Sequence, residues 1–145
     1  MRLLELKAPK KYVVITGPLS AGKSTLKKSL CATLKVPFVD ELQYGVDVSK
    51  PEWWKVITDY ADENKTSVVE VHFAYDGKDH IDYDAKLGKI PTAPSNIEIH
   101  VVLPNPKELQ RRQKLIDKYS TLEGAKKELD WYKGVAKQTK AIVHT

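Results

Sequence analysis

A chain of 145 residues is long enough to bury one ordinary hydrophobic core and needs no second domain. Its net charge of +5 and pI near 9.1 favour acidic ligands, without separating a nucleotide enzyme from a nucleic-acid-binding protein. The single cysteine, Cys31, excludes an internal disulfide framework and fits a reducing compartment, and no apolar run approaches membrane-spanning length.

The first residues, Met1 to Lys7, are too short and too charged for a signal peptide, so a soluble cytoplasmic protein is expected, with residues 1–10 as a loose arm. Tyr12-Val13-Val14-Ile15-Thr16 reads as a buried strand of a parallel sheet. It runs directly into Gly17-Pro18-Leu19-Ser20-Ala21-Gly22-Lys23-Ser24-Thr25, which fits the phosphate-binding pattern GxxxxGK[ST] without a mismatch. Gly17 and Gly22 let backbone N–H groups turn toward an anion. Lys23 brings an ammonium to the β- and γ-phosphates, the Ser24 hydroxyl suits Mg²⁺, and the next helix adds its positive end. A bound nucleoside triphosphate, ATP with Mg²⁺, is the expected guest.

Leu26, Leu30 and Leu34 recur with helical spacing, predicting a helix from about Lys23 to Lys35 with that face on the sheet. Val36-Pro37-Phe38-Val39 is read as a second strand near an edge, ending in Asp40-Glu41. Ser49-Lys50-Pro51-Glu52 reads as a capping box opening a helix to about Asn64, with Trp53 and Ile57 on its apolar face. A third strand spans Ser67 to Phe73. Residues 74–96 lack any period and form a long loop expected on the substrate side. Ile97 to Leu103 is the fourth strand. A helix from Lys107 to Tyr119 follows, then one capped at Ser120 with Leu122, Ala125, Leu129, Tyr132 and Ala136 on one face, and a last strand at Ala141 to His144. The alternation predicts a three-layer α/β domain with a mostly parallel five-stranded sheet.

Ligands of such sheets bind beyond the carboxyl ends of the strands, which selects residues 17–25, Asp40, Glu41, Glu70, His72 and the residues after Leu103. Phosphoryl transfer needs positioning and charge neutralisation, so Asp40, with Glu41 second, is the candidate for accepting a hydroxyl proton or orienting magnesium through water. Glu70 lies in an apolar strand and should face a cation, magnesium or a donor, with Lys23 and Mg²⁺ as the expected neighbours. Trp54, His72, Tyr75, His80 and Tyr83 are candidates to line an acceptor pocket, whereas Trp53 reads as core. Asp76, Asp79, Asp82 and Asp84 show no metal-ligand spacing.

With these residues in place the chain resembles the P-loop kinases of small molecules, the group of nucleoside, nucleotide, shikimate and gluconate kinases. Val36 to Asp40 is similar to the second strand of shikimate and gluconate kinases, which implies a role for Asp40 near magnesium and substrate. The segment Ile99 to Arg112, followed by a helix and Ala141-Ile142-Val143, resembles the C-terminal half of guanylate kinases. Arg111 and Arg112 resemble the arginine pair that nucleotide-kinase lids place over the phosphates. At about 100° per residue, Leu115, Ile116 and Tyr119 centre near Arg112, so Arg112 is expected to face inward and Arg111 outward. The chain departs from the group in stopping at Thr145 and in following Glu70 with Val71-His72 where deoxynucleoside kinases carry Arg-Ser. Such compactness resembles virus-encoded kinases. The resemblance implies ATP-dependent transfer to a small acceptor, a nucleoside or nucleotide. A polynucleotide 5′-hydroxyl kinase and a non-catalytic ATP- or GTP-binding module are the alternatives.

Overall fold

A computed structural model of the chain describes residues 10–76 and 87–145. The expected arm over residues 1–9 and the candidates Asp79, His80, Asp82, Tyr83 and Asp84 lie outside the described residues. The elements in order are β1 (Tyr12–Thr16), α1 (Lys23–Leu34), β2 (Val46–Asp47), α2 (Lys55–Glu63), β3 (Val68–Glu70), β4 (Phe73–Ala74), β5 (Ile97–Val102), α3 (Pro106–Lys114), α4 (Leu122–Thr139) and β6 (Ile142–His144).

β1 occupies a central place in a four-stranded parallel sheet of order β3-β1-β5-β6, pairing Ile15 with Glu70 on one side and with His100 on the other. A separate parallel pair, β2 with β4, stands where the five-stranded prediction had one continuous sheet. The difference has two local causes. Val36 to Val39 forms no strand, because side chains capture its carbonyls: Thr66 Oγ1 donates to Pro37 O at 2.8 Å and Lys27 Nζ to Val39 O at 2.8 Å. The predicted strand 67–73 also breaks after Glu70, and Phe73-Ala74 pairs with Val46-Asp47 instead.

The predicted face of α1 is wrong by one position. Lys23, Lys27 and Cys31 are buried, Leu26 and Leu30 are partly covered, and Leu34 is exposed. An apolar stripe yields here to a lysine with a buried partner, described below. α2 begins at Lys55 rather than after Ser49: Glu52 takes a left-handed conformation (φ 56°), and the Ser49 N–H and hydroxyl both bond Asp47 Oδ1. Trp53, Ile57 and Ala61 nevertheless reach the core.

β5, α4 and β6 follow the prediction closely. α4 buries Ala125, Leu129, Tyr132 and Ala136, and its cap is Thr121, whose Oγ1 accepts the Gly124 N–H at 3.0 Å, one residue later than the predicted box. α3 is capped by Asn105, which accepts the Glu108 N–H at 2.8 Å, and has Pro106 in its first turn. It ends at Lys114, so Leu115, Ile116 and Tyr119 lie beyond the helix and are exposed rather than packed.

Candidate nucleotide site

The loop between β1 and α1 is seated by close backbone approach. Gly17 has φ 147°, and a Cβ there would stand 2.7 Å from the carbonyl oxygen of Val102 at the end of β5. Gly22 ends the loop at φ 103°, and between them Ser20 holds a left-handed conformation (φ 65°), a strain of about 1 kcal/mol for a residue with a side chain. The tip is gripped from α3 and α4. Gln113 Nε2 donates to Leu19 O at 3.0 Å, and the Leu19 N–H donates to Glu128 Oε2 at 3.0 Å. The Gln113 amide also reaches Glu128 Oε1 at 3.3 Å. Burial raises the Glu128 carboxyl above its ordinary range, opposed by the Leu19 N–H and the Gln113 amide. The sequence reading missed both residues. The available signal was Gln113 lying one turn after Leu109, a polar side chain on the buried stripe of α3.

The inner wall beside this loop is a buried, charge-balanced cluster. Lys23 Nζ donates to Gly17 O at 3.0 Å and lies 3.9 Å from Glu41 Oε1. Burial lowers its pKa, while Glu41, Glu70 and Glu128 pull it back up. Glu70 at the end of β3 pairs with Lys27 at 2.9 Å, and that ammonium also lies 4.1 Å from the centre of the Phe38 ring. The cation paired with Glu70 is therefore Lys27, one turn along α1 from the Lys23 expected there. His72 Nδ1 lies 3.4 Å from Glu41 Oε1. That contact, with Lys23 and Lys27 nearby, holds the Glu41 carboxyl below its usual range despite partial burial.

The outer wall is built differently. Arg112 donates through Nη1 to Ala21 O at 2.9 Å and through Nε to Glu108 Oε1 at 2.9 Å, which ties α3 to the loop. Arg111 is mostly exposed and, among the described residues, grips Glu108, at 2.6 and 3.0 Å. The inward placing of Arg112 thus agrees with the helix-face reading, although Leu115, Ile116 and Tyr119, on which that reading leaned, are exposed. Arg111 and Arg112 together pull the Glu108 carboxyl down to about 2. A pocket of about 750 Å³ opens between this wall, the loop and the end of the sheet. Ser24, Thr25, Arg112, Leu115, Ile116 and His144 are among its lining residues.

At the sheet end of that pocket β5 and β6 carry a chain of side chains. His100 Nε2 lies 2.6 Å from Glu98 Oε1, and His100 Nδ1 lies 2.7 Å from His144 Nε2. Glu98 is also paired with Lys11, at 2.5 Å.

Several predicted site residues stand apart from this assembly. Asp40 is exposed and ends no strand, and the group held there is its backbone carbonyl, by Tyr60 Oη at 2.9 Å. Trp54 is half-buried, edge-on to Trp53 at 5.9 Å, and packs on the core rather than on the loop. Trp53 is buried and donates to Pro91 O at 2.8 Å, in keeping with its reading as core. Pro18 and Ala21 are buried, Leu19 is exposed at the tip, and Ser24 and Thr25 are exposed at the start of α1.

Among the described residues no three His, Cys, Asp or Glu side chains are grouped to hold a metal ion, and no helix is long and apolar enough to cross a membrane. No family model and no curated protein sequence matches the chain. Among solved structures it is similar to the YorR protein of Bacillus subtilis, solved in complex with phosphorylated GDP. The TM-score is 0.55 at 18% identity, over 91% of this chain and 83% of that one. The likeness is one of fold.

Proposed function

We propose that the chain is a P-loop kinase, an ATP-dependent phosphotransferase whose acceptor is a nucleoside or nucleotide. The observation that carries this reading is convergence on loop 17–25: Lys23 at its base, the Glu41 carboxylate 3.9 Å from that ammonium, and Arg112 within 2.9 Å of Ala21 O. A module that only senses nucleotide has no need of a carboxylate and an arginine on the same loop. The fold likeness to a protein solved with phosphorylated GDP supports a nucleotide as the guest.

Each residue then has a role. The loop N–H groups and the start of α1 receive the phosphates. Lys23 exchanges its bond to Gly17 O for phosphate oxygens, and the negative guest offsets the burial of its ammonium. Arg112 gathers charge on the moving phosphoryl group. Transfer breaks the bond from the γ-phosphorus to the bridging oxygen and forms one to the acceptor oxygen. Glu41 orients the acceptor hydroxyl and takes its proton, with His72 holding the carboxylate in place. Asp40, which is exposed and stands apart from the loop, serves as the comparison for that assignment. Glu70 is already neutralised by Lys27, so Ser24 is the residue that would hold Mg²⁺, which would supply positive charge to the phosphates.

The test is transfer of radiolabelled γ-phosphate from ATP to nucleosides, nucleotides, oligonucleotides and small polyols, with Glu41→Gln and Asp40→Asn alongside. A large loss of kcat in Glu41→Gln with ATP affinity retained is expected. Transfer to oligonucleotides alone, weakened steeply by salt, would instead favour a polynucleotide 5′-hydroxyl kinase. ATP binding without transfer to any acceptor would leave a non-catalytic nucleotide-binding module.

A further inference from the structure

The pocket beside loop 17–25 borders on an imidazole whose hydrogen-bonding sense is set from behind. His100 is buried between two partners, and each of its nitrogens is committed. The Glu98 carboxylate is acceptor-only, so His100 Nε2 must carry a hydrogen. With His100 neutral, its Nδ1 has no hydrogen and accepts one from His144 Nε2. The remaining nitrogen of His144, Nδ1, is then an acceptor, and it has no partner among the described residues. A proton added to His100 inverts the order: His100 Nδ1 donates to His144 Nε2, and His144 Nδ1 now carries the hydrogen. One proton, placed away from the pocket, changes the pocket-side imidazole from acceptor to donor.

The charges around the two rings are unequal. Glu98 lies against His100, with Lys11 behind it, whereas Arg112 stands on the same pocket as His144 from α3. α1 gives that pocket Ser24, Thr25, Leu26 and Ser29, none of them charged. Burial and the neighbouring His100 lower the basicity of His144 itself. The pocket is continuous with Ser24, Thr25 and Arg112, so a triphosphate on the loop would set its base among Leu115, Ile116 and His144.

We infer that His144 is the residue that reads the six-position of a purine base in this pocket, and that Glu98 and His100 fix it as an acceptor that selects an amino group over a carbonyl. The inference rests on the phosphate-loop reading above. It predicts a preference that weakens in acid, because one added proton turns the pocket-side acceptor into a donor.

Calorimetric affinities for ATP, ITP and inorganic tripolyphosphate test it. ATP and ITP differ at the six-position and its adjoining N1 proton, and their γ-phosphates titrate alike, so the ratio isolates the base. At pH 8 ATP should bind about tenfold more tightly than ITP, the worth of one hydrogen bond satisfied against one acceptor left facing a carbonyl. At pH 5.5 the ratio should fall to unity or reverse. In His144→Ala it should be near unity at both values with tripolyphosphate binding kept, and in His100→Gln the pH dependence should vanish. A ratio that ignores pH in the parent protein, or survives in His144→Ala, would overturn the inference while leaving the phosphate loop intact. Failure of tripolyphosphate to bind the parent would sink the loop reading and this inference together.

Discussion

The two walls of loop 17–25 reverse the usual distribution of side chains. The inner wall buries charge: Lys23, Lys27 and Glu70 are each less than 8% exposed, with Glu41 and His72 at their edge. The outer wall exposes apolar surface, with Leu115 79% and Ile116 70% accessible beside Arg112. Burying paired charges contributes little net stability, since desolvation offsets most of the attraction. Leaving large apolar groups in water contributes none. Neither arrangement is explained by the stability of the fold, and the two suit the anionic end and the flat, apolar end of the guest proposed above.

Substitutions on the inner wall should have the largest effects. Lys23→Ala should weaken triphosphate binding by roughly 100-fold or more, the loss of a charge-assisted contact in a buried site, as read by calorimetry. Retained affinity would remove the loop from the binding site. Lys27→Met leaves Glu70 buried without its cation and should destabilise the fold by about 3–5 kcal/mol in urea unfolding. Adding Glu70→Leu should recover most of that loss. If the double variant is as unstable as the single one, Lys27 matters through packing rather than charge.

The outer wall should respond more gently and should separate neighbours. Arg112→Ala is expected to lower transfer by about tenfold or more, while Arg111→Ala, which removes only an exposed pair, should stay within about twofold. Equal losses would erase the distinction between a loop-facing and a solvent-facing arginine. The smallest effect concerns pH. Glu108 titrates at about 2 in the fold against 4.5 ordinarily, so the folded state holds its carboxylate more strongly than the unfolded chain does. Its contribution is complete above about pH 4.5 and is lost as the pH falls toward 2. Glu108→Gln should flatten that part of the stability profile, and salt should shrink the difference.

What could be read from the sequence was whatever depends on neighbours along the chain. β1, the loop and its glycines, β5, the buried stripe of α4 and β6 all follow from local runs and spacing. What could not be read depends on partners far away in sequence. Lys27 looks like a solvated lysine until Glu70, 43 positions later, is placed against it at 2.9 Å. Val36 to Val39 has strand composition, but Thr66 and Lys27 take the carbonyls that a ladder would have used. Gln113 and Glu128 reveal their function only when α3 and α4 are brought to Leu19. Arg112 bonds Ala21 O although the apolar residues of its predicted face, Leu115, Ile116 and Tyr119, are exposed, because α3 stops at Lys114.

The central position of β1 has a consequence for how the molecule assembles. Its two sheet neighbours, β3 and β5, lie 55 and 85 residues further along, as Ile15 pairs with Glu70 and with His100, and Gly17 rests on the end of β5. During synthesis the loop emerges early, yet the strands that fix its shape emerge late. Until Val68 to Glu70 is available both edges of that apolar strand lack a partner, and until Ile97 to Val102 follows one edge still does. Parallel pairing over such separations forms slowly and leaves those edges open to other chains. Folding of this protein should therefore be limited by closure of β5 onto β1, and the site should be the last part of the fold to exist.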